Sequence, residues 1–446
     1  MFRPTGFAEL AGRRVGIFGV GIEGRATARR LEGVASALVL VDDANLGDPS
    51  VLVSAEGGFE ALLGCDVVVK SPGIPRRRPD VLDLEMHDVA VVSALNLWLH
   101  DVERSRVVAI TGTKGKSTTT ALVTFFLHCL DEPAQRLGNI GQPPYDPQLD
   151  TDSGWLVVEV SSFQCVDLDV APGVVMVTSL GADHIDWHGS LEQYRRDKLS
   201  LTRCGGPHVT IVPDNPTFRA LSDELGGELE FVAPEETHLA AALGLMGAHS
   251  NSNVALALSA VTHLTRRDAE EVAEVVRARA SEFEPLRGRL TLAAVERSGD
   301  AVLVRYVDDG LATSVLPTIA ALEVFTDEPL ALIAGGFDRG VDYLPLAQAL
   351  YGRRAATTLV TMGPAGRRIG DAWAGLDASA RVRPVENMFE AVTEARRLLG
   401  GAGVVLLSPA APSFDRYVNW EQRSEDFTNV ARAVADEWSL GGDSNS

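Results

Sequence analysis

Val107-Val108-Ala109-Ile110 runs directly into Thr111-Gly112-Thr113-Lys114-Gly115-Lys116-Ser117-Thr118, and a helical pattern then continues from Ser117 to Leu130. No other stretch constrains the fold as strongly. A short apolar, β-branched run reads as a buried strand, the two glycines turn the chain, and a helix sets off from the turn. Gly-x-x-Gly-Lys-Ser supplies backbone N–H groups and an ammonium for phosphates, and a hydroxyl for Mg2+. The loop is shorter than the common G-x-x-x-x-G-K-[ST], because Ile110 stands where a longer loop has its first glycine. Strand, glycines, lysine and serine in this order predict a nucleoside triphosphate site.

The same alternation recurs on both sides. Upstream, Val15-Gly16-Ile17-Phe18 reads as a strand, Ala26 to Leu31 has helical spacing, Ala37 to Val41 is a second strand ending in Asp42-Asp43, and Cys65 to Val69 a third. Downstream, strands at Leu156 to Val160 and Val174 to Thr178 alternate with helices around Leu191 to Thr202 and Asn253 to Leu264. A hinge at Arg277 to Leu286 precedes strands at Val302 to Tyr306, Leu330 to Ile333, Thr358 to Thr361 and Val404 to Leu407. Near-continuous apolar strands between helices predict parallel sheets covered on both faces. The expected architecture is α/β in three domains, at residues 1–104, 105–285 and 286–438, with a disordered tail at 439–446.

Composition excludes several function classes. The 446 residues include 40 Lys and Arg against 61 Asp and Glu, a formal net charge of −21. The summed field repels phosphodiester backbones and anionic surfaces, so neither nucleic acid nor a membrane is an expected partner. Apolar stretches such as Ala121 to Leu127 fall far short of the ~20 residues that span a bilayer. The N-terminus lacks the cationic head and apolar run of a secretory signal, and a cytoplasmic location is expected. Cys65, Cys129, Cys165 and Cys204 are dispersed, which fits reduced core residues and neither a disulfide framework nor a zinc site. Lys70, Lys114, Lys116 and Lys198 are the only lysines. Where arginine serves almost every generic positive charge, a retained lysine points to chemistry that arginine cannot supply.

Three other segments carry candidate chemistry. Gly19-Val20-Gly21-Ile22-Glu23-Gly24 lies between a strand and a helix, with Asp42 and Asp43 closing the next strand, in the form of a dinucleotide fingerprint. Taken alone it leaves open a nicotinamide enzyme, another diphosphate binder, or a tight turn with no ligand; the triphosphate loop downstream weakens the first. Glu159-Val160-Ser161-Ser162-Phe163-Gln164 ends an apolar strand, where ligands collect in open α/β sheets. Glu159 there is either a ligand for a metal bridging phosphates or a solvated strand-end carboxylate. Asp183-His184-Ile185-Asp186-Trp187-His188 puts two histidines and two carboxylates together; zinc is a rival, but hard oxygen ligands beside a phosphate loop suit Mg2+.

These motifs, in this order and with Tyr194-Arg195-Arg196-Asp197-Lys198, resemble the Mur ligases of peptidoglycan synthesis over nearly the whole chain. Lys70-Ser71-Pro72-Gly73-Ile74, Gly138-Asn139-Ile140-Gly141 and Leu407-Ser408-Pro409-Ala410 to Ser413-Phe414-Asp415 are similar to those of the glutamate-adding members. The resemblance implies a Rossmann-like domain for a UDP-linked substrate, a central P-loop ATPase domain and a C-terminal Rossmann-like domain that brings the amino acid. It assigns Gly19, Gly21, Gly24, Asp42, Ser71, Pro72, Gly73 and Ile74 to the UDP of a UDP-muramoyl substrate, and Asn139 to its muramoyl part. ATP would be held by Gly112, Thr113, Lys114, Gly115, Lys116, Ser117 and Thr118, with Asn253 at adenine, Arg289 near the γ-phosphate and Asp309 near the nucleotide; Ser250 replaces a second asparagine. Mg2+ would be held by Ser117, Glu159, His184 and Lys198 as a carbamate, since CO2 turns an ammonium that cannot ligate a cation into an oxygen ligand. Lys116, His184, Lys198 and Arg289 are the implied catalytic residues. A monomer is the expected state, and closure of the domains would bring the ligands together.

The departures from the family pattern cluster in the third domain. Asp308-Asp309-Gly310-Leu311-Ala312-Thr313-Ser314 has Leu311 where a lysine is usual, Gly335-Gly336-Phe337-Asp338-Arg339-Gly340 has Arg339 for lysine, and Ala411-Pro412-Ser413 to Trp420 replaces Cys-Ala-Ser to Phe. Leu311, Thr313, Arg339, Ser413 and Trp420 would form the amino-acid pocket. Chemistry kept and recognition altered is similar to the members that add L-glutamate to UDP-N-acetylmuramoyl-L-alanine and depend on a separate epimerase. Addition of D-glutamate, a folylpolyglutamate-synthase-like ligase and a non-catalytic UDP-sugar sensor are the alternatives; the sensor need not retain Lys116, Glu159, His184 or Lys198.

Overall fold

The computed structural model describes residues 3–139, 141–181, 185–206, 208–234, 238–299 and 301–441. Its first sheet holds β1 (Arg14–Phe18), β2 (Ala37–Asp42), β3 (Val51–Val53), β4 (Val67–Lys70) and β5 (Ala90–Val92) in the order β3-β2-β1-β4-β5, all parallel. The second holds β6 (Val107–Thr111), β7 (Ala134–Gly138), β8 (Trp155–Glu159), β9 (Val174–Val177), β10 (Val209–Pro213) and β11 (Glu228–Val232) in the order β11-β10-β9-β6-β8-β7, again all parallel. The third holds β12 (Thr291–Ser298), β13 (Ala301–Asp308), β14 (Leu330–Gly335), β15 (Thr357–Met362), β16 (Val382–Pro384) and β17 (Gly403–Leu407) in the order β12-β13-β17-β14-β15-β16. Among the described residues of this sheet, β12 alone runs antiparallel, against β13. Three α/β sheets are therefore present, as expected.

Alternate residues of the strands serve opposite faces. On β14, Leu330, Leu332 and Ala334 join one apolar cluster while Ala331 and Ile333 join another. Both faces are covered, which is why the run has no polar alternation. The chain departs to either side of β1 and of β6, so each of the first two sheets has a switch point where two adjacent carboxyl-end loops diverge and leave a crevice. The glycine turn after β1 and the phosphate loop after β6 stand at those two points.

Contacts divide the chain into two compact units: one runs up to Leu239 and includes His249–Glu282, and the other takes Ala240–Ala248 and everything from Phe283 on. The first unit holds two of the sheets. One apolar cluster contains Val67 and Val69 of β4 together with Val107, Ala109 and Leu156 of the second sheet. Two sequence expectations need correction. The strand expected at Cys65 to Val69 runs from Val67 to Lys70, and the Asp66 carboxylate just before it accepts the Arg14 N–H at 2.8 Å. The tail expected from 439 starts too early, since helix Trp420–Gly441 continues through those positions; residues 442–446 lie outside the described ones. All four cysteines are buried and free. No helix among the described residues is long and apolar enough to cross a membrane.

Candidate active site

The phosphate loop owes its shape to contacts that exclude a side chain. Gly112 sits at φ +149°, and a Cβ there would lie 2.1 Å from Thr178 Oγ1 at the end of β9. Thr178 and Ser179 clamp the loop: the Thr178 hydroxyl donates to the carbonyl of Lys114 at 2.5 Å, and the Lys114 N–H donates to Ser179 Oγ at 2.7 Å. Gly115, left-handed at φ +87°, is the N-cap of helix Lys116–Cys129, whose first-turn backbone N–H groups form the phosphate-facing end. Asn253 packs its amide on this turn, with Oδ1 2.6 Å from where a Gly115 Cβ would stand. Ser117 is buried in the first turn of the helix, Thr118 beside it is partly exposed, and Lys114 is exposed.

Two lysines meet at one oxygen. Lys116 Nζ donates to the Gly112 carbonyl at 3.0 Å and to that of Thr113 at 3.3 Å, and Lys198 Nζ donates to the same Gly112 carbonyl at 2.9 Å. Lys198 is 1% exposed and stands over the Tyr194 ring, whose hydroxyl bonds Thr113 Oγ1 at 2.8 Å. β8 pairs directly with β6, and Glu159, in register with Ile110, closes β8 next to the loop. Its side chain is 1% exposed. Oε1 accepts from Asn139 Nδ2 at 2.9 Å, while Oε2 is buried with no hydrogen-bond partner among the described residues. A buried anionic oxygen left unpaired is costly unless a cation completes it, and a hard carboxylate oxygen suits Mg2+. The donor set fits that ion. Among the described residues no three His, Cys, Asp or Glu side chains gather as a metal cage; His184 lies outside the described residues.

The first glycine turn brings its expected residues together. Gly24 lets its helix approach β1, since a Cβ there would lie 2.0 Å from the Gly19 carbonyl. Ser71 Oγ donates to that carbonyl at 2.6 Å, and Ile74 N–H closes the Ser71-Pro72-Gly73-Ile74 loop on Ser71 O at 3.1 Å. Gly21, with nothing within 4 Å of its Cβ position, leaves the helix start open. Asp42 is already engaged, accepting from Val20 N at 2.7 Å and Ala44 N at 3.0 Å.

Sequence reasoning missed the side chains that join this turn to the phosphate loop. Glu23 accepts from Tyr145 OH at 2.9 Å and Gln164 Nε2 at 2.8 Å, and burial pushes its carboxyl above the usual range. Lys70, noted as one of four lysines and as the first residue of the Lys70 to Ile74 motif but given no role, is fully buried and pairs with buried Asp167 at 2.7 Å. Arg77 donates to both oxygens of Asp197, the neighbour of Lys198. The available signals were slight: a run of three arginines from Arg76, and an acid beside a rare lysine.

In the second unit, Asp309, Leu311 and Thr313 follow β13, Arg339 follows β14 and Ser413 follows β17, while Arg289 precedes β12 and Trp420 begins helix Trp420–Gly441. Asp309 is buried and accepts from Ser408 Oγ at 2.7 Å; burial raises its carboxyl to about 7, against the opposing effects of Ser408 and Arg289. Trp420 packs on Gly288, 2.6 Å from its Cβ position, and Leu311 N–H bonds the Gly288 carbonyl at 3.1 Å, so both flank Arg289. Thr313 is partly exposed, Ser413 is buried and Arg339 is exposed. Buried Arg423 ties the three loops, donating to the carbonyls of Gly310 at 3.0 Å, Ala411 at 3.1 Å and Gly335 at 3.5 Å. Burial lowers its guanidinium to about 10.

Comparison with known proteins agrees with this geometry. A family model described as the Mur ligase middle domain matches residues 110–228. Proteins named UDP-N-acetylmuramoyl-L-alanine--L-glutamate ligase are similar along the whole length: that of a Micromonospora strain is 37% identical, covering 96% of this chain and 98% of its own, and that of Salinispora tropica is 36% identical, covering 96% and 99%. A counterpart from Xanthomonas axonopodis pv. citri is 33% identical over 95% and 96%. The fold is shared with the crystal structures of the UDP-N-acetylmuramate-alanine ligase of Thermotoga maritima (TM-score 0.51, 20% identity, 94% of this chain and 98% of that one) and MurF of Acinetobacter baumannii (TM-score 0.56, 15% identity, 93% of each). The chain belongs to the Mur ligase family.

Proposed function

We propose that the chain is an ATP-dependent ligase that joins L-glutamate to UDP-N-acetylmuramoyl-L-alanine during peptidoglycan precursor synthesis. The observation that carries the reading is the phosphate loop itself, where Lys116 and Lys198 converge on Gly112 beside the unpaired buried oxygen of Glu159. Backbone N–H groups at the start of helix Lys116–Cys129 receive the ATP phosphates, and Lys116 leaves its loop carbonyls for the transferring oxygens.

A carboxylate is a poor electrophile toward an amine. Transfer of the γ-phosphoryl group to the alanine carboxylate of the muramoyl substrate makes an acyl phosphate and ADP; attack by the glutamate amine then expels phosphate and forms the amide. Ser117, Glu159, His184 and Lys198 as a carbamate would hold Mg2+, which when bound neutralises charge on the phosphates. The glycine turn with Ser71 to Ile74 would orient the UDP end, Asn139 would meet the muramoyl part, and Asn253 would face adenine. Arg289 would steady the γ-phosphate, while Leu311, Thr313, Arg339, Ser413 and Trp420 would receive glutamate. Leu311 removes the point charge of the usual lysine, Arg339 replaces another by a planar fork, and Trp420 adds bulk, which shifts the partner for a glutamate carboxylate. L selectivity implies a separate epimerase acting on the product.

Losing one charge-assisted hydrogen bond costs about 1.5–3 kcal/mol, so L-glutamate should be preferred by at least roughly tenfold. ADP release measured with UDP-N-acetylmuramoyl-L-alanine and each enantiomer tests this. A preference for D-glutamate would overturn the stereochemical part, and equal ATP turnover without the muramoyl substrate would overturn the ligase reading.

A further inference from the structure

Asp197 stands one residue before Lys198 on helix Leu191–Leu199, and its carboxylate makes a set of bonds of its own. Arg77 Nη2 and Nη1 reach its two oxygens at 3.0 and 3.2 Å. Gln193 Nε2 donates to it at 2.6 Å, and His188 Nδ1 lies 2.8 Å from Oδ2. The other His188 nitrogen is 3.0 Å from Ser162 Oγ, three residues beyond Glu159. Asp197, His188 and Ser162 are all buried, whereas the Arg77 side chain is 54% exposed.

Both ends of this chain of contacts return to the first glycine turn. Arg77 follows the Ser71 to Ile74 loop, which Ser71 ties to Gly19. Gln164, in the short helix Ser162–Cys165, donates to Glu23 of the same turn. Trp187 adds a parallel link, donating from Nε1 to the Gly73 carbonyl at 3.1 Å. The segments carrying Glu159 and Lys198 are thereby locked to the two loops that face the UDP-linked substrate.

We propose that Arg77, Asp197, His188 and Ser162 form a positioning network through which the loop that receives the UDP-linked substrate sets the place of Lys198 at the phosphate loop. None of the four need touch a reacting atom. Arg77 is the exposed end, where a ligand on its loop acts; Asp197 passes the constraint to the helix; His188 passes it to the strand-end loop of Glu159. A misplacement of about 1 Å at a reacting centre lowers rates by orders of magnitude, so such a network governs kcat more than nucleotide affinity. The proposal rests on the ligase reading above.

Hydrogen exchange of the full chain with and without UDP-N-acetylmuramoyl-L-alanine separates the two. The expected result is protection at residues 19–24 together with protection over Leu191–Leu199, the second effect disappearing in Arg77→Gln. Protection at the turn without any change over Leu191–Leu199 overturns the network. Protection at neither place overturns the substrate-site reading and the proposal with it. In turnover, Arg77→Gln and Asp197→Asn should each lower kcat tenfold or more with KM for ATP within about twofold, and the double variant should fall no further than the worse single one. Wild-type kcat in Arg77→Gln, or additive losses, would overturn the network. Arg77 is exposed enough to be replaced without opening the core, so Arg77→Gln is decisive even where Asp197→Asn fails to fold, and Arg77→Lys should recover part of the lost kcat.

Discussion

Asp309 shows how a residue's chemistry can be legible while its state is not. The family resemblance places Asp309 near the nucleotide, but nothing in the sequence says that Asp308 accepts from the backbone of Gly288 and Gly310 and from Ser424, while Asp309, buried beside it, has the Ser408 hydroxyl and the Leu290 backbone. Burial therefore raises Asp309 from its ordinary 3.8 to about 7. The unfolded chain loses this proton near pH 4 and the folded chain keeps it to about pH 7, so between those values the folded state binds the extra proton. Stability must then fall as pH rises from about 4 to 7 and level off above, by on the order of 4 kcal/mol at most. Asp309→Asn keeps an oxygen for Ser408 and removes the titration. Its urea midpoint should lie above wild type at pH 8 and converge toward it near pH 5; parallel curves would show that another group carries the slope. The same limit applies to Glu159, Lys116 and Lys198, whose residue types announced phosphate chemistry, whereas the Gly112 carbonyl that gathers the lysines is a backbone atom without a sequence signature.

At the scale of elements, apolar runs were legible where strands are buried on both faces, as in β6, β8, β9, β14 and β17. Among the elements that escaped, β5 is a buried run of only three residues and β10 a buried interior strand carrying Thr210 and Pro213, while others have a different physical setting. β12 is an antiparallel edge strand with a mixed burial pattern, and β3 and β16 are three-residue edges with no fully buried position. Ties between elements escaped for another reason: they join residues far apart in sequence. Lys70 at the end of β4 and Asp167, which lies 97 positions away, form a fully buried pair, with Arg76 a further 3.7 Å partner of Asp167. Lys70 also donates to the Ile74 carbonyl at 2.9 Å, so one ammonium fixes both the Ser71 to Ile74 loop and its tie to the segment after helix Ser162–Cys165. Removing it leaves a buried carboxylate largely uncompensated, and Lys70→Met should cost about 3–5 kcal/mol. Replacing both partners, Lys70→Met with Asp167→Leu, should return most of that stability, because no buried charge then remains. Denaturant midpoints of the three proteins decide the point: equal losses in the single and double variants would mean that the carbonyl contacts of Lys70 matter more than the pair.

For the whole molecule, three α/β sheets could be read from the alternation of strand and helix, but the path of the chain between units could not. It enters the second unit at Ala240, returns at His249 to place Asn253 against Gly115, and leaves again at Phe283. Leu239-Ala240-Ala241-Ala242-Leu243-Gly244-Leu245-Met246-Gly247-Ala248 reads like any small apolar helix, and its membership is decided by tertiary packing alone. Leu243 is 2% exposed, Met246 packs against the apolar cluster of β14 and β17, and Gly244 lies 3.7 Å from the Pro285 ring. The C-terminal domain is thus built from two pieces of chain, and a fragment cut at the apparent hinge lacks one of them. Burying a Leu or Met side chain contributes about 1.5–3 kcal/mol, so residues 283–441 alone should be some 3–5 kcal/mol less stable than the same unit with its first piece. At about 2–4 °C per kcal/mol for a domain of this size, the loss is readily visible in a melting curve. A fragment in which residues 240–248 precede 283–441 through a short glycine-rich linker should melt roughly 6–20 °C above 283–441 alone on that arithmetic. Equal melting temperatures would show that Ala240–Ala248 only rests on the domain, and that the hinge after Glu282 is a true domain boundary.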